Sequence, residues 1–180
     1  DTFIGISGTG ATSSAADSIN GGTGTDTLKI YTDGAVILPF SMTSVENLLI
    51  NDTVHQDTNI STATMITAGI VDLTLQSGVT TDGATTTVTM GAGQSTLTID
   101  GVNEAAAGGT VADGGITWTT ATSVTSGTLT VNNVGATTTT AAVAVGVTTA
   151  NMATLNVVST GTNFVNFENA GAGLTTLNIS

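Results

Sequence analysis

Asp17-Ser18-Ile19-Asn20-Gly21-Gly22-Thr23-Gly24-Thr25-Asp26-Thr27-Leu28-Lys29-Ile30 runs from a glycine-rich turn straight into a strand. Gly21 to Lys29 fit the calcium-binding nonapeptide GGxGxDxUx, where U is a large apolar residue. Gly21, Gly22 and Gly24 can take the positive-φ turns that aim backbone carbonyls inward, and Asp26 supplies the hard carboxylate oxygen that Ca²⁺ prefers. Leu28 and Ile30 then put two apolar side chains on one face of a strand.

The same apolar-x-apolar unit recurs along the chain. It returns as Leu48-Leu49-Ile50, Leu73-Thr74-Leu75, Leu97-Thr98-Ile99, Leu129-Thr130-Val131, Leu155-Asn156-Val157 and Leu177-Asn178-Ile179. Successive units lie roughly 20 to 30 residues apart, the period range of stacked coils. Weaker strands fall between them at Thr87-Val88-Thr89-Met90, Ile116-Thr117-Trp118-Thr119 and Ala141-Ala142-Val143-Ala144-Val145. Several units share an entry: Thr43-Ser44-Val45-Glu46-Asn47-Leu48 is matched loosely by Thr122-Ser123-Val124 before Leu129, and by Ala150-Asn151-Met152-Ala153-Thr154-Leu155. Insertions of differing length leave a stack as surface loops while the apolar positions keep register. The pattern predicts an all-β fold, a parallel β-solenoid (β-helix) of short strands with Gly/Asn/Asp/Thr turns, as a single segment over 1–180. A β-sandwich is the alternative, because it too spaces short strands with turns. Helix is confined to brief candidates at Asn103-Glu104-Ala105-Ala106-Ala107 and Thr62 to Ile70.

Composition limits the partners. One Lys or Arg stands against 13 Asp and Glu, a net charge of -12, which excludes an electrostatic grip on nucleic acid or anionic headgroups and favours divalent cations. Charged residues are only 8% against 39% hydrophobic, so the chain is no disordered polyelectrolyte. With aromatics at 3%, a thin core of stacked aliphatics is expected rather than a thick one. The chain has no Cys, which leaves calcium as the available staple. No signal-peptide pattern opens the sequence and no run of about 18 apolar residues occurs, so direct membrane insertion is not expected. The start on Asp1-Thr2-Phe3 and the stop on Leu177-Asn178-Ile179-Ser180 read as a segment of a longer surface protein.

Catalytic groups are sparse. His55 is the only His and no G-x-S-x-G elbow accompanies it. Carboxylate pairs lack the aromatic platforms and basic residues that sugar chemistry uses, since Lys29 is the sole cation and Trp118 reads as a core or interface anchor. No enzyme is expected. Thr117-Trp118-Thr119 and Thr137 to Thr140 suggest ice-binding ladders only superficially, because their spacing varies along the chain. Asn51-Asp52-Thr53 and Asn59-Ile60-Ser61 match the N-glycan acceptor pattern by accident of composition.

Calcium takes roughly six to eight oxygens, of which Gly21 to Asp26 supply three or four. Asp17 and Asn20 are the nearest supplements in sequence and Asp1 is a further candidate from the preceding strand, so the expected metal ligands are Asp1, Asp17, Asn20, Gly22, Gly24 and Asp26. A second chelating loop is weighed at Asn51 to Asp57, and Asp82, Asp100, Glu104 and Asp113 stand in or near turns, read either as residues that bond their own backbone or as metal ligands at a contact between subunits. The alternative at Gly21 to Asp26 is a plain tight turn in which Asp26 caps backbone N–H groups.

Asp1-Thr2-Phe3-Ile4-Gly5, then Asp17 to Leu28, then Ser44-Val45-Glu46-Asn47-Leu48 resembles bacterial surface-layer (S-layer) and large RTX-type surface proteins. The resemblance implies export by type I secretion in Gram-negative bacteria and a Ca²⁺-dependent β-solenoid. It also implies an extracellular, cell-surface location, self-association into a lattice or filament, and anchorage to cell-surface polysaccharide through regions outside this segment. Tandem β-rolls repeat the nonapeptide, whereas this chain carries it once. Two functions follow as expectations: a structural subunit of a surface layer, and an adhesin or spacer module of a large RTX-type protein.

Overall fold

Alternation of Leu, Ile and Val with Thr and Asn gives two-faced strands, and the computed structural model is built from fifteen of them, with no helix among the described residues. The described residues are 1–7, 12, 17–32, 41–52, 59–61, 70–80, 85–104, 115–135, 143–148, 151–168 and 173–180. The odd-numbered strands are β1 (Thr2–Ser7), β3 (Thr27–Thr32), β5 (Asn47–Asp52), β7 (Asp72–Thr80), β9 (Thr96–Glu104), β11 (Ser126–Asn132), β13 (Thr154–Thr160) and β15 (Thr176–Ile179). They form one eight-stranded sheet in chain order. Of the even-numbered strands, β6 (Asn59–Ser61), β8 (Thr85–Thr89), β10 (Gly115–Thr119), β12 (Val143–Thr148) and β14 (Val165–Glu168) form a five-stranded sheet. The remaining two, β2 (Ser18–Asn20) and β4 (Ser41–Thr43), pair with each other.

Every pairing is parallel. Hairpin-linked sandwich strands would pair antiparallel, so the sandwich alternative finds no counterpart among the described strands. Successive strands alternate between the large sheet and the smaller ones, and from β3 onward each except β6 returns beside the strand two before it. The offset varies, from Thr27 opposite Asn47, 20 residues on, to Thr96 opposite Thr128, 32 residues on.

Register is set by the apolar residues, because a slip of one residue would turn every Leu and Ile to solvent. Leu28, Leu48, Leu73, Leu97, Leu129 and Val157 make one inward column, and Ile30, Ile50, Leu75, Ile99 and Val131 make a second. All eleven are buried. Burying each such side chain stabilises the fold by about 2 kcal/mol before entropy is counted. The five-stranded sheet contributes Val88, Ile116 and Trp118 to the same core, with Trp118 fully buried and its Nε1–H donated to Met90 Sδ at 3.1 Å.

The corners before the strands repeat a backbone device. One carbonyl accepts two N–H groups from the entry to the neighbouring strand: Asp26 O from Glu46 and Asn47, Glu46 O from Val71 and Asp72, Thr125 O from Ala153 and Thr154, and Ala153 O from Thr175 and Thr176. A buried apolar residue precedes several of these corners, namely Val45, Ile70, Val124 and Met152, so the entry shared in the sequence is a structural repeat.

Two expectations change. Leu155-Asn156-Val157 does not stack residue for residue on Leu129-Thr130-Val131, because Leu155 lies opposite Gly127 and Val157 opposite Leu129. The two-residue shift keeps inward side chains inward. Gly127 makes it possible: a Cβ there would lie 2.6 Å from Met152 Cε and 3.0 Å from the Trp118 ring, so those side chains occupy its space. Asn103 and Glu104, read as the start of a helical turn, close β9 opposite Val79 and Thr80, since pairing overrides local propensity. Ala105 to Ala107 and residues 62–69 lie outside the described residues, and Ile70 is buried just ahead of β7.

Candidate metal centre

The turn between β2 and β3 is held by crowding and by glycine conformation. Gly22 and Gly24 adopt φ of 87° and 117°, the left-handed region the sequence anticipates. Gly21 has a different role. It is buried, its N–H donates to Thr43 O at 2.9 Å, and a Cβ would lie 1.8 Å from the Ser44 carbonyl oxygen and 2.8 Å from Asp26. Gly21 is therefore wedged between the next coil's backbone and the Asp26 carboxylate. Ser44 itself stands at φ 52°, an uncommon conformation for a residue with a side chain.

Asp26 is completely buried. Its backbone N–H donates to Glu46 Oε2 at 2.7 Å, its carbonyl accepts from Glu46 and Asn47, and its Oδ1 accepts from the Asp1 nitrogen. Its Oδ2 is buried with no hydrogen-bond partner. A carboxylate oxygen removed from water needs a donor or a cation to offset its desolvation, and Oδ2 has no donor. The plain-turn reading fits Asp26 less well, because the side chain caps no backbone N–H of its own turn.

The expected ligands do not all converge. Asp1 and Asp26 meet through the Asp1 nitrogen. The Asn20 side chain folds onto its own turn, Oδ1 accepting from Gly22 N–H at 3.1 Å, an Asx turn. Half-buried Asp17 lines a separate cavity with Phe3, Thr12, Ile19 and Leu28, and Asp26 is not among its walls. Gly22 and Gly24 lie on the exposed rim of the turn. Among the described residues no three His, Cys, Asp or Glu converge as a metal-binding group.

Glu46 and Ser44 are the residues that sequence reading missed. Both appear in the recurring entry, yet nothing there ties them to Asp26. The signal is the 20-residue spacing from Asp26 to Glu46, which matches the register that sets Thr27 opposite Asn47. Asp26 Oδ2 is a hard oxygen of the kind that Ca²⁺ takes, and Glu46 holds the turn that carries it.

Other candidates fall elsewhere. Asp100 lies within β9 rather than in a turn, its carboxylate accepting from Gln76 Nε2 at 3.1 Å and Asn132 Nδ2 at 2.7 Å. With Thr160 Oγ1 donating to Asn132 Oδ1 at 3.1 Å, these groups form a polar ladder along the outer face. Asp52 closes β5 and Glu104 closes β9, while His55, Asp57, Asp82, Asp113 and Thr137 to Thr140 lie outside the described residues. Thr117-Trp118-Thr119 stacks in register on Thr87-Val88-Thr89 despite the uneven spacing, but Asn59-Ile60-Ser61 and Gly146-Val147-Thr148 on either side break the Thr repeat. No family model, no curated protein and no solved structure matches this chain.

Proposed function

We propose that the chain is a parallel β-solenoid that serves as a structural subunit of a bacterial extracellular surface layer, stiffened by Ca²⁺ and built to self-associate. The observation that carries the reading is the two-sheet alternation, in which parallel strands at varying chain offsets hold one continuous inward register. Such a stack is quasi-one-dimensional and stiff, and its strand edges and faces are available for association. Calcium would enter at Asp26, whose buried Oδ2 has no hydrogen-bond partner while its Oδ1 meets the Asp1 nitrogen. The acidic composition and the resemblance to RTX-type surface proteins support an extracellular location, with anchorage to polysaccharide left to other regions. No catalytic role is assigned to any residue.

Electron microscopy with and without Ca²⁺ tests the reading. An array subunit forms ordered sheets or filaments when Ca²⁺ is added and loses them in chelator. A protein that stays monomeric at every calcium concentration is the adhesin or spacer module instead.

A further inference from the structure

The outer face of the eight-stranded sheet is uneven in a way the core does not require. Ile4 and Ile6 on β1 are 67% and 41% exposed, and Tyr31 on β3 is 41% exposed. These side chains stand perpendicular to the sheet, so a strand added at the β1 edge would leave them uncovered. Register puts Ile4 beside Lys29 and Ile6 beside Tyr31, with Leu49 next to Lys29 on β5. The one cation of the chain thus sits inside an apolar patch, and among the described residues it forms no ion pair.

The complement lies on the same face. Asp72 is exposed at the start of β7, next to Val71, which is 45% exposed. Lys29 and Asp72 are two strands apart and two residues out of step, about 12 Å within one chain, too far for an ion pair. We infer that two copies pair face to face across this sheet, Lys29 of each meeting Asp72 of the other. A two-fold axis lying in the interface and crossing β5 between Lys29 and Asp72 makes both contacts at once, as an isologous pair requires. The same operation brings Ile4 near Val71 of the second copy and sets Leu49 beside the axis.

Charge selects a second copy as the occupant. With 13 acidic residues and one Lys, most approaches of one copy to another are repulsive. This approach instead pairs the lone cation with a carboxylate and removes exposed apolar side chains from water. Four strands about 4.8 Å apart and about five residues long give a footprint of roughly 300 Å² per copy, which is small. The pair is accordingly weak alone and is suited to a contact repeated across an array.

The inference rests on the self-association reading above, and charge reversal separates the two. Sedimentation velocity is measured at concentrations where the wild-type protein pairs, with circular dichroism to verify folding. Lys29→Asp alone and Asp72→Lys alone each weaken pairing about tenfold or more, and the neutral changes Lys29→Gln and Asp72→Asn weaken it less. An equimolar mixture of the two reversed variants pairs again, because each copy supplies the charge the other lacks. Wild-type pairing with no rescue on mixing, or single reversals that pair as well as wild type, overturns this interface and leaves self-association standing. A wild-type protein that never pairs, with or without Ca²⁺, overturns both.

Discussion

Gly21 and Gly22 are adjacent and both glycine, yet different physics holds each. Gly22 has open space around its missing Cβ and a φ of 87°, so Gly22→Ala meets only the left-handed strain of about 1–2 kcal/mol. At Gly21 a Cβ would overlap Ser44 O at 1.8 Å, a backbone atom that cannot rotate aside. Gly21→Ala must push apart the two coils that Asp26 and Glu46 join, costing about 3 kcal/mol. Urea unfolding of the two variants in chelator should rank Gly21→Ala as clearly the more damaging; equal midpoints would mean that the crowding is not rigid. The sequence motif marks both glycines but cannot separate these roles, because the group that crowds Gly21 comes from the next coil. The same holds for Glu46, whose carboxylate reaches the Asp26 N–H across 20 residues of chain.

Elements are legible where an apolar-x-apolar unit stands between turn residues. All seven such units lie in strands of the eight-stranded sheet. Strands β2, β4 and β6, of three residues each, and β14, of four, are too short to display an alternation of their own. The step from β11 to β13 was misaligned because the sequence shows matching Leu-x-Val units, whereas the structure aligns the corners at Val124 and Met152 and fills the space beside Gly127 with Trp118 and Met152. Inward and outward positions on one strand should respond very differently. Leu97 is completely buried and Thr98 beside it faces outward, half-buried. Leu97→Ala should cost about 2–5 kcal/mol through the cavity it leaves, and Thr98→Ala should stay within about 0.5 kcal/mol. Thermal or urea unfolding measures both, and a Thr98→Ala change as costly as Leu97→Ala would contradict the inward register.

At the scale of the molecule, the stack carries 13 carboxylates with one side-chain cation to neutralise them, and no disulfide holds its coils together. Two different cation effects follow from that balance. Any salt screens diffuse repulsion among exposed carboxylates, an effect set by ionic strength and indifferent to the ion. The proposed divalent ion at Asp26 Oδ2 would give a second effect, one that saturates and depends on ion size and ligand number. Melting measured in NaCl, MgCl₂ and CaCl₂ at matched ionic strength separates them, with CaCl₂ expected to raise the midpoint beyond the other two. Asp26→Asn keeps the shape of the side chain and removes its charge. That variant should lose the extra Ca²⁺ stabilisation while keeping the common salt effect. In chelator its stability should change less than in Ca²⁺, because neutralising the side chain relieves the unpartnered Oδ2 while it weakens the Asp1 contact of Oδ1. Equal destabilisation of Asp26→Asn in Ca²⁺ and in chelator would show that the Asp26 carboxylate serves the turn and the Asp1 contact rather than a cation. The coils would then be held by their aliphatic columns and corner hydrogen bonds alone.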